Sequence, residues 1–244
     1  MAAKPQAGAQ PPAAAGTRGR FVTLEGGEGG GKSTQARLLA DKLRSQGIDA
    51  IVTREPGGSA KAEAIRAGLL AGKAKALGPL AEALLFSAAR IDHLDATIRP
   101  ALAKGTWVVC DRFIDSTRAY QGALGDVDPA FIDALERVSV GATRPDLTLI
   151  LDIAPAEGMA RADRRRAPDA PADRFESEGE AFHRGLRRAF LDIAAAEPKR
   201  CAVIDASQPA KTVAERIWST LAIRLLAKSG RRTPAKTTRA DNLL

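Results

Sequence analysis

Cysteine is scarce in this chain. Cys110 and Cys201 are the only two among 244 residues, with no Cys-x-x-Cys pair and no metal-ligand spacing. That excludes a disulfide-stapled scaffold and a zinc site of the usual spacing, and it fits reduced thiols in the cytoplasm. No apolar run is long enough to span a bilayer. The opening residues lack the unbroken apolar stretch of a signal peptide, because Pro5, Gln6, Gln10, Pro11 and Pro12 interrupt it. There is no internal repeat.

What is present is a chain with 45% apolar and 27% charged residues, enough to bury a substantial core. One globular domain over residues 20–227 is expected between two loose ends. Residues 1–19 are mostly Ala, Pro, Gly and Gln, residues 228–244 are basic and aperiodic, and both compositions predict disorder. The net charge of +8 invites a nucleic-acid reading until it is located. Lys4 and Arg18 contribute +2, and Lys228, Arg231, Arg232, Lys236 and Arg239 less Asp241 contribute +4, which leaves +2 for the domain. The basicity lies mainly in the tails, where solvated disorder accounts for it, so no specific nucleic-acid or membrane partner is expected.

Short β-branched or apolar runs alternate with helix-length amphipathic segments: FVTLE (21–25), AIVTRE (50–55), WVVCDR (107–112), DLTLILD (146–152) and CAVID (201–205). This alternation predicts an α/β fold, a parallel five-stranded sheet with helices on both faces. The first helix is expected from about Lys32 to Gln46, with Leu38, Leu39 and Leu43 as its apolar stripe and Gly47 as its stop. A second is expected from Leu80 to about Ala103, where Leu80, Leu84, Ala88, Ile91, Ile98 and Leu102 form an apolar stripe at about 100° per residue.

Between the first strand and the first helix stands Glu25-Gly26-Gly27-Glu28-Gly29-Gly30-Gly31-Lys32-Ser33-Thr34. Gly26, four residues, then Gly31-Lys32-Ser33 is the phosphate-binding loop pattern, and its flanking elements are the ones its mechanism needs. Glycines let successive N–H groups turn inward toward phosphate oxygens, and the following helix adds its positive end. Lys32 is placed to bridge the β- and γ-phosphates of ATP, and the Ser33 hydroxyl to ligate Mg²⁺. The motif says nucleotide without saying reaction. A guanine-reading Asn-Lys-x-Asp is absent, which disfavours a GTP switch and leaves ATP-driven motors and kinases.

Other residues suit a second substrate. Asp111 ends an apolar strand, where an acid can hold the Mg²⁺ shell, and Arg112 beside it offers a planar fork for a phosphate. Phe86 and Arg90, one turn apart, lie opposite the apolar stripe of their helix. They suit a base stacked on a ring and hydrogen-bonded by a guanidinium, although on the helix pattern alone a core ring capped toward water is the better reading. Arg66 is expected on the helix after Thr53–Gly58, a strand ending in a turn, and a dense run, RADRRR (161–166), follows strand DLTLILD. A run in that place suits a lid that delivers arginines to a transferring phosphoryl group.

Taken together, these stretches resemble the thymidylate kinase family. The likeness runs from about Phe21 to Leu226 through EGGEGGGKST (25–34), TREPGGS (53–59), FSAARIDHL (86–94), DRFIDSTRAYQG (111–122), RPDLTLILDI (144–153), DRFE (173–176) and DASQP (205–209). It implies a homodimeric P-loop kinase that moves the γ-phosphate of ATP onto dTMP with Mg²⁺. Gly26 to Thr34 would form the ATP cradle, with Lys32 catalytic, and Glu28 would face the sugar 3′-hydroxyl. Arg66 and Arg112 would hold the acceptor phosphate, Phe86 the thymine ring and Arg90 its O4. Ser116 and Gln121 resemble base-side contacts, and Tyr120, the only tyrosine, resembles the residue that disfavours a ribose 2′-hydroxyl. Gly29 follows Glu28 where another subclass has arginine. The chain therefore resembles the bacterial subclass in which a lid, here about 161–174, supplies the catalytic guanidinium from Arg161, Arg164, Arg165 or Arg166, with Arg174 beside them.

Overall fold

The structure is a computed structural model that describes residues 18–165 and 175–227. Most of both expected tails, together with Arg166, Asp173 and Arg174 of the expected lid, lies outside the described residues. Arg18 and Gly19, expected in the first tail, are tied to the domain. The Gly19 N–H donates to the Leu102 carbonyl at 2.9 Å, and Arg18 pairs with Asp146 at 3.4 Å.

Strands β1 (Phe21–Glu25), β2 (Ala50–Arg54), β3 (Trp107–Asp111), β4 (Leu147–Asp152) and β5 (Cys201–Asp205) pair in the order β2-β3-β1-β4-β5, every pair parallel. The chain thus has the expected α/β sheet of P-loop NTPase type. Helices cover both faces, which is why the inner strands read as unbroken apolar runs. On one face Val22, Leu24, Val109 and Leu149 pack against Leu39 and Leu43 of α1 (Lys32–Ser45) and Val213 and Ile217 of α9 (Ala210–Leu221). On the other, Phe21, Val108 and Cys110 meet Leu94, Ile98 and Leu102, and Ile150 meets Leu186 and Phe190 of α8 (Glu180–Ala196).

Helix α1 stops at Gly47, whose φ of 72° suits glycine, and the Ile48 N–H returns to the Leu43 carbonyl at 3.0 Å. Leu38 does not join its buried stripe. It sits one residue, about 100°, away from Leu39 and is exposed.

The second expected helix departs further from its sequence reading. It is divided into α3 (Gly78–His93), a wide π-helical turn at Leu94–Ile98 and α4 (Arg99–Ala103). Ile98 and Leu102 are buried, whereas Leu80, Leu84 and Ile91 are 46%, 48% and 39% exposed and Ala88 is exposed with them. The π turn adds residues to one turn and rotates the stripe, so its two halves look in different directions. The inward face of α3 is small and polar, with Glu82, Ala83, Ser87, Ala89, Arg90 and His93 buried.

Strand order places the ligand crevice. From β1 the chain crosses toward β2, and from β4 it crosses the other way to β5, so the carboxyl ends of β1 and β4 flank a topological switch point. The glycine loop, the Asp111-Arg112 turn and α7 (Pro155–Arg165) all leave the sheet at that edge.

Candidate active site

The glycine loop turns tightly between β1 and α1, with Gly29 at φ 69° and Gly31 at φ 81°, conformations that cost other residues strain. No side chain among the described residues caps α1, so its first N–H groups are available to phosphate oxygens. Lys32 opens the helix and folds back, its Nζ donating to the carbonyls of Gly27 at 2.6 Å and Gly26 at 3.2 Å. Burial pushes the pKa of this ammonium down, and the Arg112 charge adds to that. Beside it the Ser33 hydroxyl donates to Oδ2 of Asp111. Two oxygens side by side at the phosphate end suit Mg²⁺, which takes one or two protein oxygens and fills its shell with phosphate and water. Gly30 is buried within the loop, and Thr34 is exposed in the first turn of α1.

Arg112 joins this end to the rest of the cleft. Its backbone has φ 67°, unusual for a side-chain-bearing residue and a form of strain that clusters at functional sites. The guanidinium donates to the Gly26 carbonyl at 3.1 Å, to Ser116 Oγ at 3.3 Å and to Oε1 of Glu28, and it lies 5.3 Å from the Tyr120 ring. The Tyr120 hydroxyl donates to the same Glu28 oxygen at 3.2 Å. Burial would raise the Glu28 pKa, but Arg112, Lys32 and the Tyr120 hydrogen bond outweigh it and bring the carboxyl down to about 2.

The far end holds Phe86 and Arg90. Arg90 is only 2% exposed, and its Nε donates to Glu55 Oε2 at 2.8 Å while Nη2 donates to Thr117 Oγ1 at 3.0 Å. Its Nη1 is buried with no hydrogen-bond partner among the described residues. A buried donor left open beside a cleft is a place for a ligand acceptor. Gln121 is also buried, with Nε2 3.4 Å from Glu82 Oε2, and Arg66 donates to the Pro56 carbonyl at 2.7 Å. Lys32, Ser33, Glu28, Arg66, Phe86, Arg90, Asp111, Arg112, Ser116, Tyr120 and Gln121 all line one cleft of about 300 Å³. The expected phosphate and base ends are thus brought together in a single space.

The family model described as Thymidylate kinase matches residues 24–217. The chain belongs to the thymidylate kinase family. It is 60% identical over 208 residues to the thymidylate kinase of Afipia carboxidovorans, covering 85% of this chain and 91% of that one. It is 59% identical over 210 residues to that of Rhodopseudomonas palustris (strain TIE-1), covering 86% and 91%. Among solved structures, that of thymidylate kinase from Ehrlichia chaffeensis matches with a TM-score of 0.67 at 34% identity, covering 84% of this chain and 99% of that one.

Within the thymidylate kinase fold, α7 separates the arginines of the expected lid. Arg161 donates to the carbonyls of Ala206 at 2.8 Å and Ser207 at 2.6 Å, tying α7 to the turn after β5. Arg164 is exposed, with Nε on the Ala160 carbonyl at 3.1 Å. Arg165 lines the cleft and contributes to holding down the Glu28 pKa.

Four residues of this thymidylate kinase site had no sequence reading. Glu55 is buried and takes Arg90 on one oxygen and His93 Nδ1, at 3.1 Å, on the other. Thr117 orients Arg90 from the far side, and Phe175 stands 5.0 Å from the Tyr120 ring and 6.4 Å from that of Phe86. Glu25, buried at the end of β1, accepts the Phe113 N–H at 2.8 Å and the Ser116 hydroxyl at 2.7 Å. Burial and the neighbouring Asp115 charge push its pKa up to about 8. Ser116 is therefore committed to Glu25 and Arg112 while it lines the cleft. All four stood inside quoted motifs, Glu25 in EGGEGGGKST, Glu55 in TREPGGS, Thr117 in DRFIDSTRAYQG and Phe175 in DRFE.

Proposed function

We propose that this protein transfers the γ-phosphate of ATP to dTMP, giving dTDP and ADP, with Mg²⁺, as a cytoplasmic homodimer. The observation that carries the reading is the shared cleft: a phosphate cradle at one end, a ring with an open guanidinium at the other, and Glu28, Arg112 and Tyr120 between them.

Phosphoryl transfer asks the protein for alignment, exclusion of water and charge stabilisation. In this reading the loop amides and Lys32 hold the β- and γ-phosphates. Ser33 and Asp111 would hold Mg²⁺, which when bound neutralises charge on those phosphates. Arg112 and Arg66 hold the acceptor phosphate. The ionised Glu28 takes the sugar 3′-hydroxyl, and Tyr120, fixed on Glu28, fills the space a 2′-hydroxyl would need. Phe86 stacks the thymine, Arg90 Nη1 donates to its O4, and Gln121 closes the base side. Arg165 is the lid arginine best placed to meet the moving phosphoryl group, being the one of Arg161, Arg164 and Arg165 that lines the cleft.

Dimerisation is supported by the outward apolar face of α3, Leu80, Leu84 and Ile91, joined by exposed Leu77. The cytoplasmic placement is supported by two free, buried cysteines. No helix among the described residues is long and apolar enough to cross a membrane.

The test is ADP release from ATP and Mg²⁺ in a coupled assay with dTMP, dUMP, dCMP, dGMP, UMP or no acceptor. Turnover should be fast with dTMP, weaker with dUMP, because one methyl is worth about 1–3 kcal/mol, and negligible with the rest. Equal turnover with and without acceptor would leave only the phosphate cradle standing.

A further inference from the structure

Helix α7 touches the glycine loop through bare backbone. A Cβ on Gly29 would lie 1.9 Å from the Gly158 carbonyl oxygen, and a Cβ on Gly158 would lie 2.4 Å from the Glu28 carbonyl oxygen. Neither distance is tolerable, so the loop and the helix approach this closely because both residues are glycine. Glycine is a poorer helix former than alanine, so Gly158 is disfavoured on local grounds, and the close contact with the loop is what its bare backbone permits. Of its eleven residues Gly158 and Ala162 are buried, α7 packs beside α8, and Arg161 ties it to the turn after β5.

The helix also carries the contact to the chemistry. Arg165 follows Gly158 by seven residues, about 20° short of two full turns and about 10 Å along the axis. The two therefore share a face, and Arg165 lines the cleft. Arg164, one residue earlier, is turned about 100° away and does not line the cleft.

We propose that the Gly29–Gly158 backbone contact is a positioning device: it sets how close α7 lies to the phosphate loop, and so whether Arg165 reaches the transferring phosphoryl group. Gly158 is thereby a positioning residue, and the absence of a side chain at position 29 is what lets α7 approach. The inference rests on the kinase reading above and on Arg165 as its lid arginine.

The test is a double-mutant cycle of Gly158→Ala and Arg165→Ala, with kcat, both KM values and thermal midpoints measured. Gly158→Ala is expected to stay folded, since alanine favours helix, and to lose about tenfold to a hundredfold in kcat with KM for dTMP within about twofold. In the Arg165→Ala background it should cost little more, because the group it positions is already gone. Wild-type kcat in Gly158→Ala, loss of the fold, a loss confined to KM, or a full further loss in the double variant would each overturn the proposal. Near-wild-type turnover of Arg165→Ala alone would overturn the choice of that arginine and the route through it. Wild-type enzyme that ignores dTMP is the separate failure of the kinase reading.

Discussion

Lys32 and Phe86 stand at opposite ends of the cleft, and their substitutions should be told apart by kinetics. Lys32→Ala is expected to lower kcat by about a hundredfold or more with the thermal midpoint preserved, the scale for losing one charge-stabilising donor. Phe86→Ala should raise KM for dTMP about tenfold and leave KM for ATP nearly unchanged, in line with roughly 1–3 kcal/mol for stacking one base. An equal rise for both substrates would make Phe86 a packing residue. Glu25 gives a pH signature. Its folded pKa of about 8 lies above the ordinary 4.5, so folding favours the protonated acid. That stability is full below about 4.5 and is lost as pH rises through about 8. Glu28 has the opposite sign, and its contribution is lost only as pH falls from 4.5 toward about 2. Glu25→Gln, neutral throughout, should therefore flatten the fall in thermal midpoint between about pH 5 and pH 8; an unchanged slope would contradict the shift. The loop residues and Arg112 were legible in the sequence because glycines and a strand-end Asp-Arg pair have local reasons. Glu55 and Thr117 were not, since each acts on Arg90 across 35 and 27 residues of chain.

Helix α3 has two working faces, and periodicity read only that they differ. Its apolar stripe was legible, but the direction it faces was not, because the π turn at Leu94–Ile98 lies between the exposed and buried halves. The inward face is small and polar, and from α3 Phe86 and Arg90 line the cleft, with Arg90 supported by Glu55. If the outward face pairs with a second copy, Leu84→Glu should yield monomers in sedimentation velocity with little change in monomer stability, since Leu84 is 48% exposed. Dimers of that variant would place the interface elsewhere. Helix α7 shows the complementary limit. RADRRR announces many arginines, and only the helical phase and the seat on Gly158 separate Arg165 from Arg161 and Arg164.

At the scale of the whole molecule, a parallel sheet brings segments distant in sequence to one edge. The glycine loop follows β1, the Asp111-Arg112 turn follows β3, α7 follows β4, and α3 closes the far side. Alternating strand and helix signals were enough to read this architecture, because every strand is short and apolar and glycines punctuate the turns. The cleft itself, where in the proposed reading a donor and an acceptor nucleotide meet end to end, emerges only from that assembly. The measurement that tests it most directly is calorimetric titration with a dinucleotide joining adenosine and thymidine through five 5′-phosphates. The expected result is one site per chain, binding tighter than either ATP or dTMP and displaced by each of them. Displacement by only one of the two nucleotides, or affinity no better than that nucleotide alone, would contradict a single cleft that holds both.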